Sequence, residues 1–257
     1  MPLVGSVPKT RCADAMASIK ALFLDLFGTL ADTGGRGEAI HRTCAEVVAA
    51  LPGVDADQLA QANADVWRDY WPQVEERWTV GILDGAAVSL EAWTRALRVC
   101  GCHDEALARL ARDTLRRHQR VWLSLYADAH DLLARLARTD LKLALIANAA
   151  SDSAREALAT LGIEERFDTV VVSGELGVAK PDAAIFAAAV RAVGVDPGDA
   201  WHVGDNLQTD VLGAKAAGMG AVWLNRDGLA RTAGDPEPDH EIRSLTELAR
   251  LLPVLQD

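Results

Sequence analysis

Ala21-Leu-Phe-Leu-Asp25-Leu-Phe27-Gly28-Thr29-Leu30 is the stretch on which the fold turns. An apolar run, Ile19 to Leu24 broken only by Lys20, ends on a carboxylate, and a Gly-Thr turn follows at once. Such a run reads as a strand buried on both faces of a parallel sheet. In open α/β sheets, ligand sites lie beyond the carboxyl ends of the strands. A lone aspartate there is ambiguous, because Asp is also a common turn and cap residue. Three later segments change that reading: Leu141-Lys-Leu-Ala-Leu-Ile-Ala147-Asn148, Gly177-Val-Ala-Lys180-Pro181-Asp182 and Trp201-His-Val-Gly204-Asp205-Asn206-Leu-Gln-Thr-Asp210. The first and third are apolar runs ending in polar groups, and the second follows another strand. They bring Asn148, Lys180, Asp205 and Asp210 to the sheet edge that carries Asp25.

Between Leu30 and this alternation lies a different pattern. A glycine-rich connection, Ala31 to Gly37, leads into helical periodicity from Glu38 to Leu51, stopped by Pro52-Gly53. A second helix runs from a cap at Asp57 to about Trp78, kinked or broken at Pro72. A third begins at Ser89 and ends before Gly101, and a fourth runs from His103 to about Trp122. Residues 31–124 thus read as an all-helical insert in an α/β chain whose core is 19–30 and 125–257, with 1–18 a disordered leader or an extension. Trp67, Trp71, Trp78, Trp93 and Trp122 all lie in the insert. They build its small core, or one or two of them, with Arg77, face the active site. From Asp128 onward, strands and helices alternate at the rhythm of a doubly wound parallel sheet.

The 257 residues are half apolar, enough for a sizeable core, and carry a net charge of −11. That charge argues against nucleic acid and anionic membranes as partners. It leaves a phosphorylated small molecule open, since a bound divalent cation would reverse the local field. No run of 18 apolar residues occurs, and Met1 to Ala17 lacks a signal-peptide core. The Cys100-Gly-Cys102-His103 cluster has no second Cys/His pair, so it reads as ordinary thiols in a reduced, cytoplasmic compartment. A monomer or a homodimer fits equally.

The motif set resembles the haloacid dehalogenase (HAD) superfamily, whose four motifs are D-x-D-x-T, Ser/Thr, K-P and G-D-x(3,4)-D. The resemblance covers roughly Ile19 to Leu252, and the insert is similar to a helical type-I (C1) cap. It implies a Rossmann-like α/β core and a Mg²⁺-dependent phosphatase. Asp25 would be the nucleophile and Lys180 its catalytic partner. Thr29, Asn148 and Arg77 would bind substrate. Mg²⁺ would be held by Asp25, the Phe27 backbone carbonyl, Asp205 and Asp210. Two positions depart from the phosphatase pattern: Phe27 replaces the general-acid Asp, and Ala147 replaces the Ser/Thr. An aromatic two residues after the nucleophile resembles the 2-haloacid dehalogenases, which use no metal. Gly204-Asp205 keeps the metal-binding form where those enzymes carry Ser-Ser. Phosphate-ester hydrolysis, C–halogen hydrolysis and a weakly catalytic binding protein are therefore the three readings.

Overall fold

A computed structural model describes residues 19–255; the expected leader over 1–18 lies outside them. In chain order the elements are β1 (Ala21–Leu24), β2 (Ala31–Asp32), α1 (Arg36–Val47), α2 (Ala56–Thr79), α3 (Gly85–Val99), α4 (Glu105–Trp122), β3 (Ser124–Leu125), α5 (Ala127–Leu136), β4 (Lys142–Ala147), α6 (Ser151–Leu161), β5 (Thr169–Val172), α7 (Ser173–Leu176), α8 (Ala183–Val193), β6 (Ala200–Gly204), α9 (Leu212–Ala216), β7 (Gly220–Leu224), β8 (His240–Ile242) and α10 (Leu248–Leu251). Six of the strands form a parallel sheet in the order β5-β4-β1-β6-β7-β8.

The order reverses at β1, which pairs with β4 on one side and β6 on the other. That is the switch point where α/β sheets open a crevice, so Asp25 stands at its mouth. Alternation along β1 divides its side chains between two layers. Leu22 and Leu24 pack with Leu132, Leu133 and Leu136 of α5, while Ala21 and Phe23 pack with Ile185, Phe186 and Ala189 of α8. Each large apolar side chain buried this way contributes ~1.5–3 kcal/mol.

The helical insert leaves the sheet through β2 and returns through β3. These two short strands pair antiparallel, Ala31 with Leu125 and Asp32 with Ser124. Helices α1 to α4 enclose their own core around the fully buried Trp93, with Leu59, Leu97, Leu107 and Leu115. Among the described residues no helix is long and apolar enough to cross a membrane.

Three local expectations are corrected. Pro72 neither breaks nor ends α2, which is continuous over Ala56–Thr79. The proline is exposed, and on the other face Trp71 packs at 5.7 Å from Trp67 and 5.2 Å from Trp78. That packing holds the helix across the missing backbone donor. The cap of α2 is Asp55, in a reciprocal capping box with Gln58, rather than Asp57. Helix α3 starts four residues before Ser89, at Gly85. Asp84 caps it, and Asp152, from α6 of the sheet domain, accepts hydrogen bonds from the Gly85 and Ala86 amides at 2.8 and 3.0 Å. The final segment also differs: β8 precedes it, and the expected helix over Ser244–Leu252 is two short turns.

Candidate active site

The carboxyl ends of β1 and β6 and the loop before α8 converge on one charged cluster. Lys180 Nζ donates to Asp25 Oδ1 at 2.5 Å and to Asp210 Oδ1 at 2.6 Å, and all three side chains are buried. His202 Nε2 lies 2.9 Å from the same Asp210 oxygen, and the Asn206 amide donates to Oδ2 at 3.1 Å. Both Asp210 oxygens therefore carry hydrogen bonds, which fill three of its roughly four acceptor sites. Asp205 faces solvent beside them and accepts a hydrogen bond from the Thr29 hydroxyl at 3.2 Å.

Charge in this cluster does not balance. Burial pushes the Asp25 pKa from 3.8 up to about 6; Lys180 pulls against that, and Asp210 and Asp205 add repulsion. Asp210 goes the other way: burial alone would raise its pKa, but Lys180 and His202 hold it well below the carboxylate range. Burial would lower the Lys180 pKa, yet the two carboxylates keep it above the ordinary lysine value. Three carboxylates against one lysine leave a surplus of two negative charges when all are ionised, which a divalent cation complements.

Oxygens of Asp25, Asp205 and Asp210 lie within 4.8 Å of one another. A Mg²⁺ ion with ligand oxygens at ~2.1 Å spaces a pair by up to ~4.2 Å, so the donor set fits after a small side-chain shift. Two glycines make this packing possible. A Cβ on Gly28, which sits at φ +82°, would lie 2.5 Å from Asp205 Oδ2, and one on Gly204 would lie 2.1 Å from Asp210 Cγ. Gly28→Ala is expected to cost ~1–3 kcal/mol, from the left-handed backbone and the contact with Asp205. Thermal unfolding checks it, and an unchanged Tm would show that the loop adapts.

A family model for haloacid dehalogenase-like hydrolases matches residues 19–218. The chain belongs to this family of hydrolases. Over 246 residues it is 30% identical to the N-acylneuraminate-9-phosphatase of Homo sapiens, covering 92% of this chain and 95% of that one. It is 40% identical over 153 residues to the phosphoserine phosphatase of Thermus thermophilus, a match that spans 60% of each protein. The 2-haloacid dehalogenase of Pseudomonas syringae pv. Tomato DC3000 superposes with a TM-score of 0.66 at 28% identity, over 91% of this chain and 98% of that one. The insert between β1 and β4 fits the C1 cap of this HAD-like hydrolase superfamily.

In this HAD hydrolase the other expected site residues take particular places. Thr29 is fully buried with its hydroxyl on Asp205, so it orients that carboxylate from behind. Asn148 donates to the Lys180 carbonyl at 2.9 Å and accepts from the Lys180 amide at 2.8 Å. Its amide thus straps the lysine loop in place, with one N–H left over. Arg77 is exposed and does not line the cleft between cap and core. Trp67, Trp71 and Trp78 recur at helical spacing on the face of α2 that does line it, and Arg77 is one residue, about 100°, off that face.

That cleft has a volume of about 460 Å³ and reaches the nucleophile loop at Phe27, while Asp25, Lys180, Asp205 and Asp210 lie outside its lining. Its walls include Phe27, Arg36, Trp67, Trp71, Trp78 and Trp122. Of the insert tryptophans, only Trp93 is pure core, and the other four line the cleft. Phe27 packs with Trp78 of the cap against Ala149, Ala154 and Val172 of the sheet domain.

Two further functional side chains escaped the sequence reading. His202 interrupts an apolar strand, and that lone polar residue was the available signal. Arg226 had no local signal. Its guanidinium grips Asp128 through two contacts at 2.8 and 2.9 Å, lies over the Tyr126 ring and donates to the Thr29 carbonyl at 2.9 Å. It thereby ties the loop after Asp25 to the segment by which the cap returns.

Proposed function

We propose that this HAD hydrolase is a Mg²⁺-dependent phosphomonoesterase working through an aspartyl-phosphate on Asp25. The Asp25–Lys180–Asp210 cluster with Asp205 beside it carries the reading. Asp25 and Asp205 would hold the ion together with the Phe27 carbonyl, and Asp210, its oxygens already occupied, would position Lys180. Bound Mg²⁺ supplies positive charge against the phosphoryl oxygens and the Asp25 carboxylate.

A carboxylate oxygen of Asp25 attacks phosphorus as the bond from phosphorus to the ester oxygen breaks, and the leaving group departs with that electron pair. Lys180, fixed by Asp25, Asp210 and Asn148, sets the approach of Asp25 and neutralises charge on the phosphoryl group. Water then attacks phosphorus of the acyl phosphate, giving inorganic phosphate and free Asp25. Phe27 has no proton to give, so the leaving group must depart unprotonated or take its proton from solvent.

The aromatic at position 27 and the likeness to a dehalogenase structure favour a second reading, displacement of halide from a 2-haloacid by Asp25. The retained Asp205 and the surplus negative charge support the phosphatase over it. Phosphate release from an aryl phosphate with Mg²⁺ and chloride release from 2-chloropropionate without metal separate the two.

Metal linkage gives an independent check. At a hundredfold excess over its Kd, Mg²⁺ should stabilise the fold by ~2.7 kcal/mol. The resulting rise in Tm should disappear in Asp205→Asn. A Tm indifferent to Mg²⁺ would count against the metal-dependent mechanism.

A further inference from the structure

The cleft above Phe27 is larger than a small ester or haloacid requires. At ~30 Å³ per water, a six-atom haloacid occupies on the order of 100 Å³, against a cleft of about 460 Å³. That volume lies in the range of sites that enclose a drug-sized ligand. Its surface is aromatic next to the nucleophile loop, where Phe27 and Trp78 flank the same Ala149–Ala154–Val172 cluster, and the Trp67–Trp71–Trp78 ladder continues up the cap wall. Flat π-systems stack on such walls.

The cleft is also cationic in a chain of net charge −11. Arg36, Arg116 and Arg120 line it against Asp32 and Glu156. Arg116 and Arg120 both bind Glu156, at 2.6 Å each. Arg36, at the start of α1, lies over the Trp67 ring at 5.1 Å, and among the described residues no carboxylate pairs with it. Much of its side chain meets solvent, yet the walls crowd the guanidinium enough to hold its pKa below the ordinary arginine value. Its guanidinium is held on the Trp67 face at the cleft wall, placed to meet an anion there.

We infer that the substrate is an aromatic phosphomonoester carrying a second anionic group remote from the phosphate, its ring against the tryptophan ladder and its distal anion on Arg36. This rests on the phosphatase reading and names its substrate class. It agrees with Phe27, because an aryl oxide leaves without the proton that Phe27 cannot supply.

The test compares 4-(carboxymethyl)phenyl phosphate with 4-ethylphenyl phosphate, whose leaving groups are closely matched because the methylene insulates the ring. A charge-assisted hydrogen bond to Arg36 forms only with the carboxylate ester, so kcat/KM should favour that ester by roughly tenfold or more, chiefly through KM. In Arg36→Met that preference should collapse to under ~3-fold, and Arg36→Lys should keep part of it. The ratio within each protein is its own control for folding. Quenching of the cleft tryptophans, titrated in Asp25→Asn, reads binding without turnover and should be tighter for the carboxylate ester by a similar factor. Equal kcat/KM for the two esters in the wild type, or an intact preference in Arg36→Met, overturns the inference while leaving the phosphatase reading in place. Selective quenching without hydrolysis of either ester sinks the phosphatase reading and keeps the distal-anion site. Neither quenching nor hydrolysis overturns both.

Discussion

Asp25→Asn is expected to lower kcat by on the order of 10⁴-fold or more while the protein stays folded. Asn keeps the shape and the acceptor oxygen for Lys180 but is a poor nucleophile. Stability supports this test. A carboxylic acid whose pKa is raised from 3.8 to about 6 binds its proton more tightly in the folded state than in the unfolded one. Its contribution is most favourable below about 3.8, declines as pH rises through that window and is a constant penalty above about 6. Asn never ionises, so at pH 7 and without metal the variant should melt no lower than the wild type. The measurement pairs phosphate release with thermal unfolding on protein purified away from host phosphatases. Residual activity above about a hundredth of wild type would remove Asp25 from the nucleophile's role.

Phe27→Asp is expected to raise turnover of alkyl phosphates relative to aryl phosphates by ~10²–10⁴-fold, the usual worth of a positioned general acid. The wild-type enzyme should favour p-nitrophenyl phosphate over sugar phosphates by a factor on the order of 10² or more, because only the former leaves readily as an anion. A carboxylic acid at position 27 would stand two residues from the nucleophile, on the loop that already closes on Gly28 and Thr29. The substitution has a structural cost. Phe27 packs against Ala149, Ala154 and Val172, and losing that contact while bringing a carboxyl group into it should cost ~1–3 kcal/mol. Melting temperature is therefore measured beside the kinetics. A folded variant whose alkyl-to-aryl ratio is unchanged would refute the missing-acid account and move the dehalogenase reading ahead.

Much of this protein was legible in one dimension because the signals were local and periodic. The buried run ending at Asp25, the later runs ending at Asn148 and Gly204-Asp205 and the Lys180-Pro181 step together specified a parallel sheet, the edge that carries the chemistry and the superfamily. Helical spacing in the insert likewise placed four helices on it. Other features depended on partners distant in the chain. Helix α3 begins at Gly85 with Asp84 as a local cap, and Asp152, 67 residues on, adds an acceptor for its first amide that no local pattern shows. Helix α2 survives Pro72 because three tryptophans pack on its other face. Asn148 serves Lys180, and Thr29 serves Asp205, because the folded sheet brings their loops together. Arg77 and Arg36 are both arginines of the insert, and only the rotation of each about its helix and the seating of cap on core decided which of them lines the cleft. Sequence periodicity records which face of an element is apolar. What that face meets is set by tertiary packing, which no local pattern encodes.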